Sequence, residues 1–265
     1  MAPIDPQYSL DLARQVADIY GDAADTMMDK VTRRLARGIT SEGWAQQKRA
    51  QILRLRDEIS EEIRKLEGKG PKAAGQAVQT AYDAGLKAAQ QEPGIGAAFI
   101  GINRQAIEKL ASETMGLVES THLQIARSVM DAYRDVITHT SLRGVITGTQ
   151  SRREAAQSAL DRFADRGISG FTDKSGANWE LESYVEMATR TGSGHAFIEG
   201  RLDGYRARGR TLVIVTSAPH PCEFCQPWEG NVLSIDDDGS GGDLYSGEGY
   251  PSVEDATSSG LFHPN

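Results

Sequence analysis

The sequence predicts an α+β protein: an elongated helical N-terminal half followed by a small mixed α/β C-terminal domain with a Cys/His knuckle. Three observations carry this. Apolar residues recur at helical spacing through the first half, from Leu10, Leu12, Val16 and Ile19 onward. After residue 168 the period changes to short alternating and β-branched runs. Composition also shifts, from Ala, Gln, Glu and Arg early to Gly, Ser, Asp and Pro in the last quarter. The division is drawn between a helical region at 1–148 and an α+β domain at 149–265.

The first helix opens at Asp5-Pro6, where proline's missing N–H costs nothing. Its apolar face is Leu10, Leu12, Val16, Ile19 and Tyr20; Gly21 marks a break, and Gly38 stops it. A second helix starts at Ser41-Glu42. Ile52, Leu55, Ile59, Ile63 and Leu66 form one stripe, with Arg54, Asp57, Glu58, Glu61, Glu62 and Lys65 opposite as a solvated face. Gly68, Gly70 and Pro71 are expected to end it, and an Ala- and Gln-rich third helix spans roughly 72–91. After the turn Glu92-Pro93-Gly94 comes the longest predicted helix, about 103–138, with Ile107, Leu110, Leu117, Val118, Ile125, Val129, Tyr133 and Val136 as its apolar stripe, either a spine or an ordinary bundle helix broken at Gly116.

Gly144 and Gly148 mark a linker, and Ser151 with Glu154 has capping-box spacing for a helix ending near Gly167. Residues 168–179 read as a β-hairpin turning at Asp173-Lys174-Ser175-Gly176. Residues 181–207 are helical, interrupted or kinked around Gly192-Ser193-Gly194. Thr211 to Thr216 is a continuous β-branched strand expected to be buried on both faces, and 231–235 is another.

Composition excludes several classes. The net charge of −8 leaves no surplus of Lys and Arg for coating nucleic acid. No run of about 18 apolar residues exists, so no transmembrane helix and no membrane role are expected. The start has no positive region followed by an apolar core, so the chain is expected to fold in the cytoplasm of the cell that makes it. Two cysteines cannot build a disulfide framework there.

Cys222-x-x-Cys225 is the sharpest chemical feature. Two thiolates at that spacing can chelate zinc. His220 is cramped for the same ion, and His263 is the better third ligand. A closed structural site takes four, so the fourth ligand is either absent, supplied by a natural chain continuing beyond Asn265, or His220. The alternative is a pair of reduced cysteines that only pack, and a third option, a redox pair, fits poorly between Pro221 and Pro227. Asp236-Asp237-Asp238-Gly239 lacks calcium-loop spacing. His195 follows a Gly-rich turn but no P-loop strand precedes it, and His122 and His139 read as surface or packing residues. No catalytic residue is singled out, and no enzyme is expected. A catalytic zinc would need a nearby base, and only Glu223 and Glu229 lie close in sequence.

Leu160-Asp161-Arg162-Phe163-Ala164, Gly167-Ile168-Ser169-Gly170-Phe171, Asp173-Lys174-x-Gly176-x-x-Trp179 and Ser183-Tyr184-Val185-Glu186-Met187-x-x-Arg190-Thr191 occur in order. They are followed by Val213-Ile214-Val215-Thr216-Ser217, Cys222-x-x-Cys225, Trp228-Glu229-Gly230 and Gly260-Leu261-Phe262-His263-Pro264-Asn265. This series, covering about the last 115 residues, resembles the phage minor capsid protein 2 family, relatives of the Mu F-like head morphogenesis proteins. The resemblance implies a structural virion component near the portal vertex, made in the bacterial host cytoplasm, with roles in head assembly and DNA packaging. It implies the portal protein, the major capsid protein and packaged double-stranded DNA as partners, and multiple copies per virion. Residues 1–148 then become a docking region and 149–265 a minor-head-protein-like domain. It also implies that Cys222, Cys225 and His263 form one cluster, although the final Cys of the relatives' His-Pro-Asn-Cys ending is absent from these residues. Arg152, Arg153, Arg162, Arg166, Arg201, Arg206, Arg208 and Arg210 either offer positive charge for DNA or an acidic portal surface or are scattered surface arginines. The runner-up reading is a metal-dependent enzyme or toxin-like domain in the C-terminal half.

Overall fold

The computed structural model describes residues 6–40, 44–92, 104–140, 154, 158, 170–172, 178–218, 221–235 and 249–262. Its elements are α1 (Pro6–Thr40), α2 (Trp44–Gln91), α3 (Arg104–Thr140), β1 (Gly170–Thr172), β2 (Asn178–Glu180), α4 (Leu181–Arg206), β3 (Leu212–Ile214), a 3₁₀ turn (Gln226–Trp228), β4 (Val232–Ser234) and α5 (Val253–Ser258). Glu154 and Ser158 are also helical. The chain forms two compact units. One comprises Ala13–Ala74 with Thr114–Ala188, the other Met1–Leu12, Gly75–Glu113 and Thr189–Asn265.

In the first of these, the expected stripes are largely buried, except that Leu117 on α3 is 47% exposed. Val16, Tyr20, Met27 and Val31 come from α1, Leu55, Ile59, Ile63 and Leu66 from α2, and Val118, Ile125, Val129 and Tyr133 from α3. Spacings of three, four and seven residues put each set on one helical face. Charged groups tie the helices at their margins: Lys30 pairs with Glu62, which Lys65 also reaches at 2.9 Å, and Arg34 pairs with Glu58. Glu62, expected on the solvated face, is instead buried between its cationic partners, and its bonds from Lys30 and then Lys65 hold its carboxyl below the ordinary value. The β1–β2 hairpin is present, antiparallel, with Phe171 opposite Trp179.

Two helix boundaries expected from the sequence are absent. α1 runs unbroken through Gly21, and α2 runs through Gly68, Gly70 and Pro71, so the expected second and third helices are one. At 48 residues α2, rather than the 37-residue α3, is the longest described helix. Packing explains the continuity. A Cβ at Gly70 would lie 2.1 Å from the Tyr20 hydroxyl oxygen, so glycine is there to let α1 approach and not to end a helix. Intrinsic propensity yields to such tertiary contact. α3 is likewise continuous through Gly116, and α4 through Gly192-Ser193-Gly194, so neither helix is interrupted there.

The other unit holds two apolar clusters. In one, Val78, Ala81, Tyr82, Ile107 and Ala196 are buried beneath Tyr8, Leu86 and Phe197. α2 and α4 cross here almost backbone to backbone. A Cβ on Gly85 would lie 2.0 Å from the Phe197 carbonyl oxygen, and one on Gly200 would lie 2.2 Å from that of Tyr82. The Tyr82 hydroxyl donates to Asp203 at 2.6 Å across the crossing. The other cluster is Leu233, Ala256 and Leu261, with Val213, Cys225 and Trp228 packed on it. β3 and β4 pair antiparallel, Val213 opposite Leu233. α5 begins with a complete capping box: Ser252 accepts from the Asp255 N–H, and the Asp255 carboxylate accepts from Ser252. β3 departs from expectation: Ile214 is 53% exposed, so the strand is not buried on both faces. It belongs to a two-stranded sheet, and β-branched residues suit a half-covered strand equally well.

Candidate functional site

Cys222 and Cys225 lie in a tight turn that leads into the 3₁₀ segment, and both are half-buried thiols. The Cys222 carbonyl accepts from Gln226 at 2.9 Å and the Cys225 carbonyl from Trp228 at 3.0 Å, so the turn closes on itself. The Cys225 N–H points at the Cys222 sulfur, 3.2 Å away. Burial pushes the Cys222 thiol up, but amide donors of Cys225 and Phe224 and the Cys225 side chain outweigh it and bring it below the ordinary value. Cys225 is shifted the other way. Burial raises it, the Phe262 amide opposes, and the neighbouring Cys222 adds to the rise.

The 260–262 turn packs directly on this knuckle. Gly260 has φ +104°, and a Cβ there would meet the Phe224 side chain at 3.2 Å. Phe262 has φ +66°, and its carbonyl lies 2.9 Å from His195 Nε2 on α4. His195 therefore sits inside a helix and anchors the C-terminal turn rather than opening a phosphate loop.

These observations fit two of the ligands of a metal clip. Amide donors aimed at a sulfur favour the thiolate that a metal takes. The Phe262 amide at Cys225 also brings the neighbour of His263 in sequence to the pair. His220 and His263 themselves lie outside the described residues, as do the Asp236–Asp238 loop and Arg152, Arg153, Arg162 and Arg166. Among the described residues, no group of three His, Cys, Asp or Glu side chains is placed to hold a metal. Of the two carboxylates near the cysteines in sequence, Glu229 accepts the Ala218 N–H at 2.7 Å, and Glu223 is exposed.

A cleft of about 440 Å³ opens beside β3, bounded by α4 residues Ile198 and Leu202 and by Leu233, Val253 and Phe262. At one side Arg201, 6% exposed, pairs with Glu92, and the Tyr205 hydroxyl donates to the same carboxylate at 2.7 Å. Arg201 is thus committed internally, neither a charge turned to DNA or an acidic portal surface nor a surface arginine. Arg206 likewise bonds Asp203 at 2.8 Å and the Ile235 carbonyl at 3.0 Å. Nothing in the sequence singled out Glu92; only the four-residue spacing of Arg201 and Tyr205 hinted that they share a helical face. His122 is a packing residue, buried against Tyr20, as one of its two expected roles required.

Comparison with known proteins sets the chain among bacteriophage structural proteins. Residues 4–265 match the family model described as phage minor capsid protein 2, and the chain belongs to that family. A relative from Lactococcus phage LL-H, called a structural protein, is 29% identical over 124 residues. That stretch is 46% of this chain and 32% of the relative, so the chain spans about a third of the relative's length. No solved structure matches. Among the described residues no helix is long and apolar enough to cross a membrane.

Proposed function

We propose that this chain is a structural minor capsid protein of a tailed bacteriophage head, seated at the portal vertex, and that it serves head assembly and DNA packaging without catalytic turnover. The observation that carries the reading is the family match over 4–265, joined by a relative called a phage structural protein. In this reading residues 1–148 dock on neighbouring head proteins. Long helices suit that task, because they hold side chains such as Arg54, Asp57, Glu61 and Lys65 on an exposed, ordered surface. The partners are the portal protein, the major capsid protein and packaged double-stranded DNA, with several copies per virion. The chain is made in the bacterial host cytoplasm and resides in the virion.

Cys222, Cys225 and His263 hold a structural zinc in this reading, with His220 the further donor in the sequence. If bound there, zinc would supply cross-linking between the 222–226 turn and the turn at 260–263, beside the small apolar cluster of Leu233, Ala256 and Leu261. Support comes from the amide donors on the Cys222 sulfur and from the Phe262 amide at Cys225.

The test is composition and proximity in purified particles. Quantitative mass spectrometry should find the chain at a fixed low copy number, and cross-linking should join α1, α2 or α3 to the portal protein. Absence from particles, or a substrate consumed at the thiols, rejects the reading. For the metal, the purified protein should hold one zinc per chain, lost in Cys222→Ser and Cys225→Ser. A zinc content unchanged by both substitutions rejects the clip.

A further inference from the structure

The knuckle brings its two thiols to each other as well as within reach of a metal. The Gln226 N–H bonds the Cys222 carbonyl at 2.9 Å, which curls 222–226 into one turn. Residues three apart in a turn lie within about 7 Å at Cα, the span that a disulfide bridges. The Cys225 N–H lies 3.2 Å from the Cys222 sulfur, and the Cys225 thiol donates to that same sulfur. The sequence has two cysteines, so each is the other's only thiol partner within the chain.

Their surroundings differ. Cys225 packs on the apolar cluster of Leu233, Ala256 and Leu261. Cys222 stands at the start of the turn, beside the exposed Glu223. A reagent arriving from solvent therefore meets Cys222 first.

We propose that Cys222 and Cys225 close as a reversible intrachain disulfide when the knuckle holds no metal, with a small disulfide such as oxidised glutathione as the oxidant. The Cys222 sulfur attacks the oxidant, forming a mixed disulfide and releasing one glutathione thiol. The Cys225 sulfur then attacks the Cys222 sulfur, the mixed disulfide breaks, and the second glutathione leaves as a thiol. Two cysteine thiols are oxidised, one oxidised glutathione is reduced, and the two cysteine protons end on the glutathione sulfurs. A catalytic thiol couple places its first cysteine on a helix N-terminus, and this turn does not. The bond therefore fastens the knuckle and does not process other proteins. It goes beyond the zinc clip and does not depend on it, although the two exclude one another because each takes both sulfurs. For a virion component, which passes from a reducing cytoplasm to oxidising surroundings, the released particle is where such a bond persists.

The test treats the reduced, metal-free full chain with oxidised glutathione and follows its intact mass. The wild-type chain should pass through a single glutathione adduct and end two hydrogens lighter than it began. Residues 211–265 contain no Lys or Arg, so trypsin leaves both cysteines in one peptide. That peptide should resist iodoacetamide until a reductant is added. Cys225→Ser should stop at the adduct, and Cys222→Ser should form its adduct at least about tenfold more slowly. A wild-type chain that stays reduced, stops at the adduct or links to a second chain overturns the proposal, as do adducts formed equally fast in the two variants. Zinc content is measured on the same preparation before chelation. A chain that closes but held no zinc keeps this proposal and loses the clip, whereas one that held zinc but does not close keeps the clip and loses this proposal.

Discussion

The Tyr20 hydroxyl on α1 and His122 Nε2 on α3 share a 2.8 Å hydrogen bond where neither side chain meets solvent, and their rings stack with centroids 5.7 Å apart. Burial drives Tyr20 well above the ordinary phenol value, with Glu119 adding to it. Burial also holds His122 below the ordinary imidazole value, against the weaker pull of Glu67 and Glu119. The pair is therefore a neutral phenol donating to a neutral imidazole.

A pH dependence follows with a definite sign. The folded His122 binds its proton less readily than the unfolded one, whose value is about 6.5. Its contribution to stability is present above about pH 6.5 and is lost as pH falls from there through the folded value. Urea midpoints should hold near pH 7 to 8 and fall between about pH 6.5 and 5, and His122→Gln should flatten that decline. Equal slopes in the two proteins would dismiss the assignment. Tyr20→Phe should cost about 1–2 kcal/mol at neutral pH by leaving the buried imidazole without its partner.

Glycines divide into two kinds, which alanine separates. Gly85→Ala forces a methyl group onto the Phe197 carbonyl and should destabilise by roughly 1–3 kcal/mol. Gly68→Ala, in the same helix with nothing within 4 Å, should instead stabilise by about 0.5–1 kcal/mol. Thermal denaturation reads both, and shifts of the same sign would refute the close crossing of α2 and α4.

Removing Arg201 strands a carboxylate. Arg201→Ala leaves Glu92 half-buried with, among the described residues, the Tyr205 hydroxyl as its remaining close donor, and should cost about 3 kcal/mol. Adding Glu92→Ala should recover part of the loss, as a double-mutant cycle would reveal. Strict additivity would mean the two side chains do not interact.

Alkylation should distinguish the thiols. In metal-free protein, the lowered Cys222 should react with iodoacetamide before the raised Cys225 near neutral pH, as peptide mass spectrometry would record. Zinc should protect both. Faster labelling of Cys225 would contradict the amide donors on the Cys222 sulfur.

Much of the fold was legible because periodicity reports burial directly. Val16 and Tyr20, Leu55 and Ile59, and Val129 and Tyr133 lie on the expected faces, and the hairpin pairing Phe171 with Trp179 follows from turn chemistry. Helix ends were less legible. Gly70 and Pro71 look like punctuation in one dimension, and only the Tyr20 side chain pressed against Gly70 gives them another meaning. β3 misled for a related reason, since a β-branched run does not state how many strands flank it. At the candidate site, Cys222 and Cys225 were visible through spacing alone. Glu92 with Arg201 was not, because 109 residues separate them and no local pattern encodes so distant a pairing.

The four long helices each lend residues to both compact units. Order of synthesis then matters. When a ribosome has released α1 to α3, one unit still awaits 141–188 and the other 189–265. Tyr82 waits for Asp203, 121 residues downstream, before its hydroxyl is answered. Nascent chains therefore carry uncovered apolar stripes through most of translation, a window in which those stripes are open to misfolding contacts.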